Sequence, residues 1–170
     1  MSEAVIGLGS NLGDKSGNLL TAVQAVSRLP GTKIRGISSI YTSMPEGAPE
    51  GDAQGPYHNM AIMLDTQMSP MALLGACLGI EAAMGRVRTG RNAARVIDLD
   101  VLLYEGVKSE SFELSLPHPR LLQRAFVLLP LKELYPTGRA PGIFFEPYLK
   151  EMDLSGCMKL DQRIEMAAQA

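Results

Sequence analysis

The chain has 170 residues, 46 % of them hydrophobic and 20 % charged, which is enough apolar material for one buried core and too much for a disordered chain; one domain over 1–170 is expected. A formal net charge of -2 excludes the basic surplus of a general nucleic-acid binder. Cys77 and Cys157 are the only cysteines and fit no CxxC spacing, which excludes a disulfide framework or a cysteine zinc site and leaves two small core hydrophobes.

The opening MSEAVIGLGSNLG lacks a basic segment followed by a long apolar stretch. No apolar run reaches the roughly 18 residues that cross a bilayer, so the expected compartment is the reducing cytoplasm, with no membrane partner. Ala4 to Leu8 reads as a buried strand ended by a glycine-rich turn. From Asn18, residues Leu19, Ala22, Val23, Val26 and Leu29 recur at helical spacing until Pro30 and Gly31 stop the helix. Lys33 to Thr42, with Ile34, Ile37, Ile40 and Tyr41, reads as a second strand. Ser43 to Pro56 holds three Gly and three Pro and is a long loop of the kind that carries function.

Tyr57 to Leu64 returns to a strand pattern. Pro70 opens a helix that runs to about Met84, capped by Ser69, with Leu73, Leu74, Cys77, Ile80 and Met84 on its buried side. Gly85 to Ala94 is a polar loop containing Arg86, Arg88 and Arg91; Arg95 closes it, and Val96 to Tyr104 is the strongest strand pattern in the chain. Arg120 to Leu134 is expected to be helical in two pieces, with Pro130 as the kink or boundary. Beyond Pro136 the pattern weakens. There GIFFEPYL, at 142 to 149, suits either a dimer contact or a cover for the core, and Leu160 to Ala170 reads as a short helix or a frayed tail. The order strand, helix, strand, strand, helix, strand specifies an α+β, ferredoxin-like fold: a four-stranded antiparallel core sheet with both helices on one face. The loops 43–56 and 85–95 then stand where they can wall one cleft.

Asp98 and Asp100 alternate with Ile97, Leu99 and Val101, so a strand turns both carboxylates to one face. About 7 Å apart along the strand, they suit one shared cation or two close ones, and magnesium is the best fit because it takes carboxylate oxygens and keeps positions for water and phosphate. Taken alone, the pair reads as ordinary solvent-facing acids. Arg86, Arg88, Arg91 and Arg95 change that reading, because guanidinium forks grip phosphate oxygens, and cations beside metal carboxylates are what phosphoryl transfer requires. GLGSNLG is not GxGxxG and the chain has no P-loop, so its glycines are read as a turn that lets strand and helix pack. His118, in LPHPR, suits either a nucleotide contact or a structural role. Tyr57, Asn59 and Phe126 suit either a flat heterocycle or ordinary core packing.

GLGSNLGD, YHNMA at 57 to 61, GRVR at 85 to 88, RVIDLDVLLY at 95 to 104 and LPHPRLLQRAFVLLPLKEL at 116 to 134 together resemble the 6-hydroxymethyl-7,8-dihydropterin pyrophosphokinases of folate biosynthesis, over about residues 4 to 136. The resemblance implies transfer of pyrophosphate from ATP to the pterin, giving AMP, with two Mg2+ ions on Asp98 and Asp100. It implies that Arg86, Arg95, Asp98 and Asp100 are catalytic, and that Arg86, Arg88, Arg95, His118 and Arg124 hold ATP. Gly9, Ser43, Pro45, Gly47, Tyr57, Asn59 and Phe126 would hold the pterin, on a monomer or weak homodimer without nucleic acid. Three departures stand out: Asn92-Ala93-Ala94-Arg95 replaces the family's Trp-Gly-Pro-Arg in a loop one residue shorter, Leu78 replaces a Gln three residues before Glu81, and the segment after Pro136 is atypical. The alternatives are a homologue that binds nucleotide or pterin without turnover, and a nucleic-acid-binding ferredoxin-like module, which would want sheet-face aromatics and a basic balance.

Overall fold

The computed structural model describes residues 1–47, 54–87, 90 and 93–165. Its strands are β1 (Ser2–Ser10), β2 (Thr32–Ile37), β3 (Tyr41–Ser43), β4 (Tyr57–Thr66), β5 (Asp98–Tyr104), β6 (Ser109–Glu110), β7 (Ser115–Leu116), β8 (Arg139–Ala140), β9 (Ile143–Phe144) and β10 (Cys157–Lys159). Its α-helices are α1 (Lys15–Ser27), α2 (Pro70–Ala83), α3 (Ala125–Leu134) and α4 (Glu146–Glu151). The main sheet is antiparallel in the order β10-β3-β4-β1-β5, and β2 also pairs with β4. Within it lies the expected four-stranded ferredoxin-like core, because β2 and β3 run consecutively along the same neighbour, β4.

The second strand is therefore two strands rather than one. Between them the backbone bonds to side chains: Ser38 Oγ accepts the Ala61 N–H at 2.9 Å, and Glu133 accepts the Ser39 N–H at 2.9 Å. The Ser69 cap is as expected, its side chain accepting the Ala72 N–H at 3.2 Å with Pro70 at the first helical position. Asp14 caps α1 in the same way through Gly17 N–H at 3.0 Å.

Both faces of the sheet are covered. α1 and α2 lie on one face, where Leu19, Val23, Val26, Leu73 and Cys77 pack against Ile6, Leu8, Ile62, Leu64, Leu99 and Val101. The other face carries a second core of Val5, Ala61, Leu102, Leu103, Val127, Leu128, Leu131 and Phe145, which belongs to α3 and the segment after it. Pro130 does not divide the helix: it sits buried inside α3, and the break falls at Arg124, whose backbone is extended at φ -123° and ψ 115° before α3 begins. GIFFEPYL covers this second core, with Phe145 fully buried. The end of the chain is also not a helix up to residue 165: β10 pairs with β3, and Leu160 and Ile164 pack on the first core. Residues 166–170 lie outside the described residues.

One irregularity breaks the alternation of β5 beyond its two acids. The β1–β5 register slips so that Val5 faces Leu103 while Ile6 faces Val101, leaving Leu102 as an extra residue. Leu99, Val101 and Tyr104 therefore face α1 and α2, whereas Leu102 and Leu103 both join the second core. Asp98 and Asp100, alternating with Leu99 and Val101, are left on the face where α3 begins.

Candidate active site

A cavity of about 460 Å³ opens over that face at the end of the sheet where β5 begins. Its floor is β1. Gly7 lies opposite Asp100, and Gly9 lies between Asp98 on one side and Asn59 on the other. A Cβ on Gly9 would stand 3.1 Å from Asn59 Oδ1, and one on Gly7 would stand 3.1 Å from the Leu102 side chain. These glycines lie within the strand and keep the floor bare, so part of GLGSNLG serves the cavity as well as the turn.

The acidic side of the cavity is held by arginines. Arg86, just past α2, places Nη1 2.5 Å from Asp98 Oδ1 and 2.6 Å from Glu81 Oε1. Arg95 Nη1 lies 3.0 Å from Asp98 Oδ2. Asp100 has no such direct partner among the described residues; burial and then the Asp98 charge push its carboxyl up to about 7, against the opposing pull of Arg124. A half-buried carboxylate pair in which Asp100 has no direct cationic partner among the described residues fits a hard divalent cation. Among the described residues no group of three or more His, Cys, Asp or Glu side chains is placed to hold a metal ion by itself.

The opposite wall is built by the approach to α3. Arg124 lies over the Phe126 ring at 5.4 Å from its centroid. Burial, and then the neighbouring Arg120 charge, hold the Arg124 guanidinium below its usual range, and its Nε is buried without a hydrogen bond. Burial and then Arg124 lower the His118 pKa as well, so the imidazole is neutral at pH 7; its Nδ1 accepts the Arg120 N–H at 3.2 Å. Asn59, buried, donates from Nδ2 to Ser43 Oγ at 2.8 Å.

Gly9, Ser43, Pro45, Tyr57, Asn59, Arg86, Arg95, Asp98, Asp100, His118, Arg124 and Phe126 all line this one cavity. Gly47 lies just outside the lining, two residues past Pro45, and Arg88 and Arg91 fall outside the described residues. Asn11 bridges the two long loops: its Oδ1 accepts the Arg95 N–H at 2.8 Å, while its Nδ2 donates to Gln54 Oε1 at 3.1 Å. Asn11 and Glu81 were not singled out by sequence reasoning. Glu81 is an acid within an apolar helix, a signal that shows a buried partner is required without naming it, whereas Asn11 sits in the glycine-rich turn, where a polar residue carries no such signal. Glu46 was missed for a different reason: it reaches Arg120 and Arg124 at 3.4 and 3.7 Å from a loop that has no periodicity to read. Leu78 lines the cavity as a partly exposed apolar side chain.

The sequence profile of the family described as 7,8-dihydro-6-hydroxymethylpterin-pyrophosphokinase (HPPK) matches residues 5–136. The chain belongs to that family. A 2-amino-4-hydroxy-6-hydroxymethyldihydropteridine pyrophosphokinase of Methylorubrum extorquens is 41 % identical over 161 residues, 95 % of this chain and 100 % of the relative. The Bacillus subtilis protein of the same name is 38 % identical over 77 % of either chain. The folic acid synthesis protein fol1 of Schizosaccharomyces pombe is 38 % identical over 78 % of this chain but 18 % of its own length. Among solved structures, a Plasmodium falciparum HPPK-DHPS superposes over 94 % of this chain and 47 % of its own, with a TM-score of 0.64 at 14 % identity. An HPPK-DHPS in complex with substrates gives a TM-score of 0.67 at 13 % identity over 88 % of this chain and 43 % of its own. These structures share the fold, and the present chain spans less than half of each.

Proposed function

We propose that this HPPK-family chain moves the terminal diphosphate of ATP to the hydroxymethyl group of 6-hydroxymethyl-7,8-dihydropterin, releasing AMP. The observation that carries this reading is the convergence of Asp98 and Asp100 with Arg86, Arg95 and Arg124 around one glycine-floored cavity. The pterin hydroxyl oxygen bonds to the β-phosphorus of ATP, the bond from that phosphorus to the α–β bridging oxygen breaks, and the hydroxyl proton passes to solvent. Little covalent work falls to the protein, so positioning and charge dominate.

Arg86 and Arg95 turn from Asp98 toward phosphate oxygens when ATP enters, and Arg124, whose Nε makes no hydrogen bond and faces Glu46 only at 3.7 Å, takes a third. Neutral His118 contacts the nucleotide. Asn59, oriented by Ser43, reads the pterin edge, Phe126 stacks on its ring, and Tyr57 with Gly9 and Pro45 closes the slot. Gly47 and Arg88 enter on the family resemblance alone. Two magnesium ions on Asp98 and Asp100 would supply positive charge to the transferred group when bound.

The cavity is walled by one chain, so a monomer or weak homodimer suffices, and β10 joining the main sheet favours reading 1–170 as one domain. Among the described residues no helix is long and apolar enough to cross a membrane, and both cysteines are free, in keeping with the reducing cytoplasm. The test is AMP formation from ATP, magnesium and the pterin. Asp98→Ala and Asp100→Ala should each lower the rate by about 100-fold or more, in the range of lost transition-state charge stabilisation. Tight ATP binding without AMP release from the unmodified chain would overturn the enzyme reading in favour of a binding homologue.

A further inference from the structure

The loop from Met44 to Pro56 joins β3 to β4 directly, and its stem is short, with the pairs Tyr41–Asn59, Thr42–His58 and Ser43–Tyr57. Ser43, Tyr57 and Asn59 all line the cavity, so the position of the stem sets one of its walls. β3 is only three residues long and runs into a long loop, so its pairing with β4 alone holds it weakly, whereas β4 is ten residues long and is also paired with β1.

β10 supplies what the hairpin lacks. Cys157, Met158 and Lys159 pair with Ser43, Thr42 and Tyr41, and the Leu160 N–H donates to the Ile40 carbonyl at 2.8 Å. Lys159 Nζ lies 2.9 Å from Glu133, whose carboxylate also accepts Tyr41 O–H at 2.6 Å and Ser39 N–H at 2.9 Å. Farther on, Gln162 Oε1 accepts from Ser16 Oγ at 2.6 Å, and that hydroxyl is 3.3 Å from His58 Nδ1 on the second strand of the stem. Leu160 and Ile164 anchor the segment to the first core. Cys157, Met158, Lys159, Leu160, Gln162 and Ile164 all lie beyond the 5–136 that match the family.

We propose that residues 157–162 are a positioning brace that holds Ser43, Tyr57 and Asn59 in register and so sets the affinity for the pterin without touching it. The inference rests on the proposed pterin transfer and assigns part of its substrate recognition to the atypical C-terminal segment. The effect of the brace should fall more on the pterin than on ATP, because β10 lies at one edge of the sheet while Asp98, Arg86 and Arg95 gather at β5 on the other.

The experiment is equilibrium binding of the pterin, in the presence of a non-hydrolysable ATP analogue, and of the analogue alone, to the full chain and its variants. Leu160→Pro removes the hydrogen bond to Ile40 and should weaken pterin binding by about 3- to 10-fold, the worth of one such bond, with the analogue unchanged within 2-fold. Hydrogen exchange should quicken at Tyr41–Ser43 and not in β1. Lys159→Ala, a milder change at an exposed side chain, should shift pterin binding in the same direction by about 2-fold. Unchanged pterin binding in either folded variant, or equal weakening of both ligands, would overturn the brace. Binding rather than turnover is read, so a parent chain that binds pterin but forms no AMP refutes the activity and leaves the brace standing; one that binds no pterin refutes both.

Discussion

Glu81 offers the sharpest test of how the site is held together. Its carboxylate, 2 % exposed, accepts the Leu99 N–H at 2.7 Å and the Arg86 guanidinium at 2.6 Å, both on Oε1. Leu99 lies between the two aspartates on β5, at the end of the sheet order, so its N–H relies on this acceptor from α2 in place of another strand. Glu81→Ala leaves that N–H without its acceptor, a cost of about 1–3 kcal/mol, and strips a partner from a nearly buried guanidinium. Breaking a buried ion pair costs about 3–5 kcal/mol, but Arg86 keeps Asp98, so a total of about 3–4 kcal/mol is expected. That is a large share of the roughly 5–15 kcal/mol that holds a domain folded. Glu81→Gln keeps an acceptor for Leu99 and loses only the charge, so it should cost about half as much. Urea unfolding of the parent and both variants measures the three free energies. A Glu81→Ala protein within about 1 kcal/mol of the parent, or Gln no better than Ala, would refute the view that this carboxylate ties β5 to α2.

Two further outcomes follow from the geometry. Gly9→Ala places a methyl 3.1 Å from Asn59 Oδ1, on a side chain already tied to Ser43, so it should cost about 1–3 kcal/mol in overpacking and weaken pterin binding with little change for ATP; calorimetric titration of each ligand checks the split. Hydrogen bonds from Tyr41, Lys159 and Ser39 outweigh burial and lower the Glu133 carboxyl to about 2, from an unfolded value near 4.5. A folded pKa below the unfolded one means that its stabilisation is present above about pH 4.5 and fades as pH falls toward 2. Urea midpoints of the parent and Glu133→Gln should therefore differ at pH 6, with the difference shrinking steadily below about pH 4.5 and mostly gone by about pH 2; a difference undiminished at pH 2 would show that the charge is not responsible.

Element order, the caps at Ser69 and Asp14, and the face shared by Asp98 and Asp100 all come from interactions a few residues long. Helical periodicity, a serine before Pro70 and the two-residue alternation of a strand are local, so they can be read from the chain itself. The same local signals placed Arg86 and Arg95 among candidate phosphate ligands, because clustered guanidinium groups suit an anion; Arg124 entered through the family resemblance.

The remaining features are set by partners distant in sequence. The slip at Leu102, which decides that Tyr104 faces α2 while Leu103 joins the second core, exists only in the pairing of β5 with β1. The break at Ser38 and Ser39 depends on Ala61 and Glu133, and the bridge between the two loops depends on Asn11 reaching Arg95 and Gln54. The C-terminal residues show no pattern of their own because their order comes from β3 and Glu133. Sequence alone determined the order of the main helices and strands and which side chains are candidates for phosphate chemistry. Tertiary pairing decided which of them share a cavity, because hydrogen-bond register and the closure of long loops are properties of contacts between segments.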